Sequence, residues 1–136
     1  MKLIIGGYAQ GRLNYVLKKY HLTEHDICDI HNDNHLKNYQ ENKIIYHAEE
    51  FITIWRNAGK NISEEINKLL PNLQDKIIIT QEVGCGLIPI SLEKRQWREQ
   101  VGHLNQVLAE SSETVERVCC GLGMHIKQES SHVDSN

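Results

Sequence analysis

A glycine-rich segment near the start of the chain has the residue spacing of a phosphate-binding loop. The P-loop pattern is G-x-x-x-x-G-K-[ST], and both of its glycines are present here, at Gly6 and Gly11. Glycines let successive backbone N–H groups curl around phosphate oxygens at a helix N-terminus, and this cradle requires no particular side chain. The pattern predicts phosphate contacts from the whole segment: Gly6, Gly7, Tyr8, Ala9, Gln10, Gly11, Arg12 and Leu13.

The last two positions of this segment depart from the pattern. In a P-loop the lysine contacts the transferred phosphoryl group, and the hydroxyl that follows binds Mg²⁺. Here Arg12 keeps the positive charge in a bulkier planar group, whereas Leu13 offers no metal ligand. We therefore expect anion binding by Arg12 and poor use of Mg²⁺. On these residues alone, a glycine turn that serves only tight packing is the competing interpretation.

A second loop that could carry chemistry follows the most apolar predicted strand. Residues 80 to 89 read Thr-Gln-Glu-Val-Gly-Cys-Gly-Leu-Ile-Pro, and the two glycines and the proline give the loop a defined shape around Glu82. The Glu82 carboxylate is predicted to position Mg²⁺ or a substrate hydroxyl. A surface glutamate in a tight turn is the alternative.

Two arginines beyond this loop are further candidates for anion contacts. Arg95 and Arg98 lie three residues apart and so share one face of a predicted helix. Ordinary solvated helix charges are the alternative interpretation.

The cysteines and histidines do not form a recognisable metal motif. There is no C-x-x-C pair, and a chain of this length does not need a disulfide. We expect four buried, reduced thiols: Cys28, Cys85, Cys119 and Cys120. Two histidine pairs have i, i+4 spacing, His21 with His25 and His31 with His35, but Asn-Asp-Asn inside the second pair disfavours a helix. We therefore predict no metal site.

The elements that must position these loops alternate between strands and helices. Apolar and β-branched runs predict strands at 2–5, 27–30, 43–46, 76–80 and 115–120. Helical spacing predicts helices at 13–20, at 48–57, from a Ser63 cap to Pro71, and from a Ser91 cap onwards. This order predicts a single-domain α/β fold with a mostly parallel sheet, helices on both faces and 76–80 as the central strand. In such a sheet, ligands bind at the carboxyl ends of the strands, where both loops lie.

Composition and charge exclude several classes of function. The 136 residues carry 15 Lys and Arg against 18 Asp and Glu, a net charge of −3, so we expect neither nucleic acid nor an anionic membrane as a partner. No apolar run is long enough to span a membrane, which predicts a cytoplasmic protein. We expect one domain over 1–127 and a disordered polar tail over 128–136.

Two stretches of the sequence resemble the bifunctional adenosylcobinamide kinase and adenosylcobinamide-phosphate guanylyltransferase family of cobalamin biosynthesis. The first is Leu-Ile-Ile-Gly-Gly at 3–7 with Gly11, which is similar to that family's opening G-G-x-x-S-G-K-S. The second is more specific. Residues 79–109 are similar in order and spacing to N-E-V-G-x-G-I-V-P, R-x-F-R-D and G-x-x-N-Q-x-L-A, and 121–127 resembles the family's closing strand and its G-[IL]-x-x-x-x-K ending.

The resemblance implies a P-loop NTPase-like fold, GTP or ATP as the nucleotide and a corrinoid alcohol as phosphoryl acceptor. It also implies a histidine that accepts the guanylyl group, with His31 and His35 in the corresponding region, and an aspartate that assists Mg²⁺, for which Asp29 is a candidate. A non-catalytic relative that binds nucleotide or corrinoid and acts in regulation or assembly is the alternative. The short chain and an exposed Trp97 predict a homo-oligomer.

Overall fold

The fold is given by a computed structural model that describes residues 1–31, 39, 41–83 and 91–128. Its strands are β1 (Lys2–Gly6), β2 (Ile27–Asp29), β3 (Ile44–Tyr46), β4 (Ile77–Gln81), β5 (Thr114–Cys119) and β6 (Leu122–Gln128). Its helices are α1 (Arg12–Tyr20), α2 (Glu50–Asn57), α3 (Ile62–Leu69) and α4 (Leu92–Ser111). The polar tail that the sequence predicts lies outside the described residues from residue 129 onwards.

The strands form one sheet in the order β2-β3-β4-β1-β5-β6. All neighbours are parallel except β5 and β6, which are antiparallel, so the predicted α/β fold with a mostly parallel sheet is confirmed. β4 is one of the two middle strands, as predicted. The Glu82 N–H donates a 2.8 Å hydrogen bond to the Gly6 carbonyl oxygen, which places both candidate loops at the same edge of the sheet.

Apolar residues on the two faces of the sheet form two cores. Leu3, Ile45 and Ile78 point toward α2, α3 and α4, whereas Ile4 and Ile79 point toward α1. This alternation follows from the period of two along a strand, and it explains why three consecutive residues of each central strand, 3–5 in β1 and 77–79 in β4, are apolar. Helices on both faces are confirmed.

The helix starts match the sequence prediction at one position and differ from it at another. Ser91 caps α4, accepting a 3.2 Å hydrogen bond from the Lys94 N–H. The predicted Ser63 cap is wrong, because Asn61 caps α3 through a 3.0 Å hydrogen bond from the Glu64 N–H. Ser and Asn are about equally good caps, so the sequence alone does not distinguish between them.

None of the described helices is long and apolar enough to cross a bilayer.

The strand β6 corrects two predictions about the end of the chain. Periodicity predicts 115–120 as the last strand, but a turn at Cys120 and Gly121, both with positive φ, leads into an antiparallel edge strand. Cys119 and Cys120 are therefore exposed rather than buried, and no disulfide joins the cysteines in the described part of the chain. Among the three described cysteines only Cys28 is buried as predicted, and Cys85 lies outside the described residues.

A buried carboxylate joins α1 to β5. Glu116 is 1% exposed and accepts hydrogen bonds from the Tyr15 hydroxyl and the Lys19 ammonium group. Burial raises the pKa of Glu116, but these two hydrogen bonds outweigh burial and hold it below its ordinary value of 4.5. Burial and Glu116 together raise the pKa of Tyr15. For Lys19, burial acts against the charge, but the hydrogen bond to Glu116 leaves its pKa raised.

This cluster predicts how stability depends on pH. The folded pKa of Glu116 is depressed, so its contribution is present above about pH 4.5 and is lost as the pH falls through the folded pKa. Tyr15 and Lys19 have raised folded pKa values, so their contributions are present below about pH 10 and are lost as the pH rises through those values. Urea unfolding across this range should show less acid sensitivity in Glu116→Gln. Glu110→Gln, an exposed control on α4, should unfold like the unmodified protein. An equal loss of stability at acid pH in all three proteins would contradict the role assigned to Glu116.

Candidate functional site

The glycine-rich segment forms the turn between β1 and α1. Gly11 is the N-cap residue of α1 and has φ 81°, a left-handed conformation that favours glycine, and no side chain caps the helix. Gln10 ties the segment to the β5–β6 turn, because its backbone carbonyl accepts from the Gly121 N–H and its side-chain Oε1 from the Cys120 N–H, both at 2.8 Å. The segment is therefore a fixed loop at a helix N-terminus rather than a loose connection.

Two cavities open beside this loop. One, of about 230 Å³, is lined by residues 9–14 and Tyr46. The other, of about 620 Å³, lies on the far side of Gly11, where Lys18, Lys19 and Gly121 contribute to its walls. The uncapped N-terminus of α1 makes the surroundings of the loop electropositive, whereas Lys19 is already paired with Glu116. The loop therefore has the space and the field to receive an anion.

Arg12 does not extend into open solvent. It is 6% exposed, and its Nη1 donates to the main-chain carbonyl oxygen of Thr80 at the end of β4. Its side chain passes directly beside Gly6. Arg12 thus supplies positive charge beneath the loop, and a direct contact with a phosphate would require it to leave the Thr80 carbonyl.

The Glu82 carboxylate is held in an ion pair. Arg117 on β5 donates two hydrogen bonds to it, from Nε to Oε1 at 2.8 Å and from Nη2 to Oε2 at 3.1 Å. Residue 13 is leucine, so the loop has no hydroxyl at the position that binds metal in a P-loop. These residues do not fit a Mg²⁺ ion, which requires near-octahedral oxygen ligands.

Three ligand-type side chains meet at the same edge of the sheet, beyond the ends of β2 and β3. The nearest ligand atoms of His31, His47 and Glu49 all lie within 4.8 Å of one another. Asp29 Oδ1 lies 2.7 Å from His47 Nδ1 and also accepts a 3.0 Å hydrogen bond from the His31 N–H. Asp29, a candidate for assisting Mg²⁺, is therefore engaged with these histidines.

Glu49 is the most buried member of this group. It is 2% exposed, and its Oε1 accepts a 3.1 Å hydrogen bond from the Gln81 N–H. Burial raises the pKa of Glu49, and a backbone hydrogen bond and the nearby charge of Arg12 offset that effect only in part. Among the described residues, no cationic side chain forms a salt bridge with it.

Sequence analysis missed His47 and Glu49. A signal was present, because His47-Ala48-Glu49 directly follows β3 just as Ile30-His31 follows β2, and both strands end at the ligand-binding edge of the sheet. The i, i+4 spacing of histidine pairs does not reveal it, because the two histidines that meet are 16 positions apart in the chain. His35, the other histidine with a predicted role, lies outside the described residues.

Arg95 and Arg98 lie in the first two turns of α4, where Arg95 is exposed and Arg98 is half-buried. This half of the helix contacts α2. Trp97 Nε1 donates a 2.8 Å hydrogen bond to Thr53 Oγ1, so Trp97 is half-buried rather than exposed as predicted. Both arginines keep their predicted role in anion binding as a hypothesis.

Comparison with known proteins gives a family match over most of the chain. The family model described as cobinamide kinase / cobinamide phosphate guanyltransferase matches residues 29–126. The bifunctional adenosylcobalamin biosynthesis protein CobU of Escherichia coli K12 is 36% identical over 70 residues, and that of Salmonella typhimurium LT2 is 34% identical over 70 residues. Each alignment covers 48% of this chain and 39% of the relative, so the matched segment spans about two fifths of the relatives' length. Because the family model covers more than half of its residues, the chain belongs to the cobinamide kinase / cobinamide phosphate guanyltransferase family.

Proposed function

We propose that this protein binds a purine nucleoside triphosphate, GTP or ATP, with its phosphates at the loop between β1 and α1. One observation carries the proposal: residues 9–14 wrap the uncapped N-terminus of α1 and line a cavity at the carboxyl edge of the sheet. Backbone N–H groups at such a terminus bind phosphate without help from side chains. Family membership supports a nucleotide as the ligand. It also supports a corrinoid alcohol, the phosphoryl acceptor in cobalamin biosynthesis, as a second ligand.

Nucleotide binding without phosphoryl transfer is the better supported of two candidate functions. In enzymes of this type Mg²⁺ bridges the phosphates and neutralises the charge that develops during transfer. Leu13 and the Arg117-bound Glu82 leave this loop without suitable ligands for the ion. We propose that the protein binds a nucleotide or a corrinoid and acts in regulation or assembly. The second candidate function is phosphoryl transfer from GTP or ATP to adenosylcobinamide, which family membership favours.

Gly11→Ala tests the role of the loop against a matched control. Gly11 and Gly59 have positive φ angles of 81° and 67°, and an added Cβ meets only ordinary contact at Gly11 and nothing at Gly59. Each alanine variant should therefore lose about 1–2 kcal/mol of stability from backbone strain. We expect only Gly11→Ala to weaken GTP binding, by about tenfold or more, because its strain distorts the cradle. Equal GTP affinity of the two variants in calorimetry would contradict the proposed site.

We propose that self-association of this chain uses the edge strand β6. Every residue of β6 is exposed, and three of them are large and apolar: Leu122, Met124 and Ile126. An unpaired apolar edge is a surface that readily pairs with a second copy. Sedimentation velocity should show a concentration-dependent oligomer that Met124→Lys weakens, and an unmodified protein that remains monomeric at high concentration would contradict it.

A further inference from the structure

We propose that His31, His47 and Glu49 form a binding site for a transition-metal ion of the Zn²⁺ type, separate from the phosphate loop. Local spacing predicts no metal site, because within the sequence His31 pairs only with His35. The fold instead brings His31 to His47 by pairing β2 with β3 in parallel, so that the residues following each strand emerge side by side.

The donor set matches the chemistry of zinc. Two imidazoles and one carboxylate are a common protein ligand set for Zn²⁺ and leave a fourth position for water or a substrate. The three ligand atoms already lie within 4.8 Å of one another, so small side-chain movements suffice to bring them to a single ion. Mg²⁺, by contrast, favours oxygen ligands and keeps much of its water.

Asp29 is placed as the supporting residue of such a site. Ligand histidines usually bond a carboxylate through their second ring nitrogen, and this fixes the tautomer and the ring orientation. The 2.7 Å contact between His47 Nδ1 and Asp29 Oδ1 has this form and leaves Nε2 of His47 for a metal. Asp29 also accepts from the His31 N–H, so one carboxylate organises both histidines.

Two further observations indicate that this cluster is built rather than accidental. His47 has φ 59°, a left-handed conformation that is uncommon outside glycine and that persists only where the surrounding structure holds it. Glu49 is 2% exposed, and no described cation pairs with its carboxylate. A buried carboxylate whose charge is offset only in part is unfavourable, and a bound divalent cation would neutralise it directly.

Zinc titration of the metal-free full chain tests the proposal. Calorimetry should show one Zn²⁺ bound per chain, and the midpoint of thermal unfolding should rise on zinc addition, since the ion binds only the folded site. The Co²⁺-substituted protein should show visible absorption without a thiolate charge-transfer band, because none of the proposed ligands is a cysteine. A strong thiolate band, or no zinc binding, would overturn the assignment.

Variants locate the ion. His31→Ala should weaken zinc binding by about 100-fold or more, whereas Asp29→Asn should weaken it by roughly 10- to 100-fold. His103→Ala replaces another exposed histidine, on α4, and should bind zinc like the unmodified protein. Glu49→Gln keeps an acceptor for the Gln81 N–H and removes a buried charge, so its metal-free form should be at least as stable as the unmodified protein while losing zinc affinity. Equal zinc affinity in His31→Ala, Glu49→Gln and His103→Ala would place the ion elsewhere and refute the site.

Discussion

Replacing Gly6 with alanine is expected to destabilise the protein by about 3 kcal/mol, because the new methyl group meets backbone that cannot move aside. A Cβ at Gly6 would lie 2.6 Å from the Val118 carbonyl oxygen and 3.2 Å from Arg12 Cδ. Relief of the first contact requires β1 to separate from β5, and relief of the second requires the Arg12 side chain to move away from its position against Thr80. We therefore expect nucleotide binding to be lost together with stability.

Gly102→Ala is the control for this substitution. Gly102 lies inside α4, where an added Cβ meets nothing within 4 Å. Alanine is the better helix former, so this variant should gain about 0.5–1 kcal/mol. Urea unfolding measures both changes. A Gly6→Ala protein as stable as Gly102→Ala would mean that β1 and β5 are not packed as described.

The second large effect is expected at Arg12. Arg12→Ala should reduce stability by about 2–4 kcal/mol, because it removes a charged hydrogen bond to a buried carbonyl and leaves a void under the loop. It also takes away a positive charge that partly offsets the burial of Glu49. Nucleotide affinity should fall as well, since the loop loses both its support and its nearest charge.

Arg95→Ala controls for the general loss of an arginine. Arg95 is exposed, and its removal should change the free energy of unfolding by less than about 0.5 kcal/mol. Chemical denaturation of the two variants, followed by circular dichroism, separates the positions. If Arg12→Ala unfolds at the same denaturant concentration as Arg95→Ala, Arg12 is not the buried support of the loop.

The strand and helix pattern could be predicted because it depends on local apolar periodicity. β1 and β4 each contain three consecutive apolar residues, as expected for strands covered on both faces, and their loops emerge at one edge because parallel strands point the same way. Strand β6 was harder to predict, because its apolar residues Leu122, Met124 and Ile126 face solvent and contribute nothing to a core.

The site could be predicted only in part, because side-chain directions depend on tertiary packing. The loop around Gly11 follows from a local motif, whereas the turn of Arg12 inward to Thr80 follows from space that Gly6 leaves free. The meeting of His31 with His47 arises from strand pairing between distant segments. Neither feature has a signature in a single stretch of sequence.

Calorimetric titration of GTP into the protein, with Mg²⁺ and then with EDTA, tests the central claim most directly. The loop offers backbone N–H groups and buried positive charge but no ligand for the ion, so GTP should bind with affinities that differ by less than about threefold between the two conditions. A GTP affinity raised about tenfold or more by Mg²⁺ would contradict the account, because a residue outside the loop would then have to bind the metal. The absence of any binding heat at millimolar GTP would contradict it as well, because the loop would then serve only as a turn.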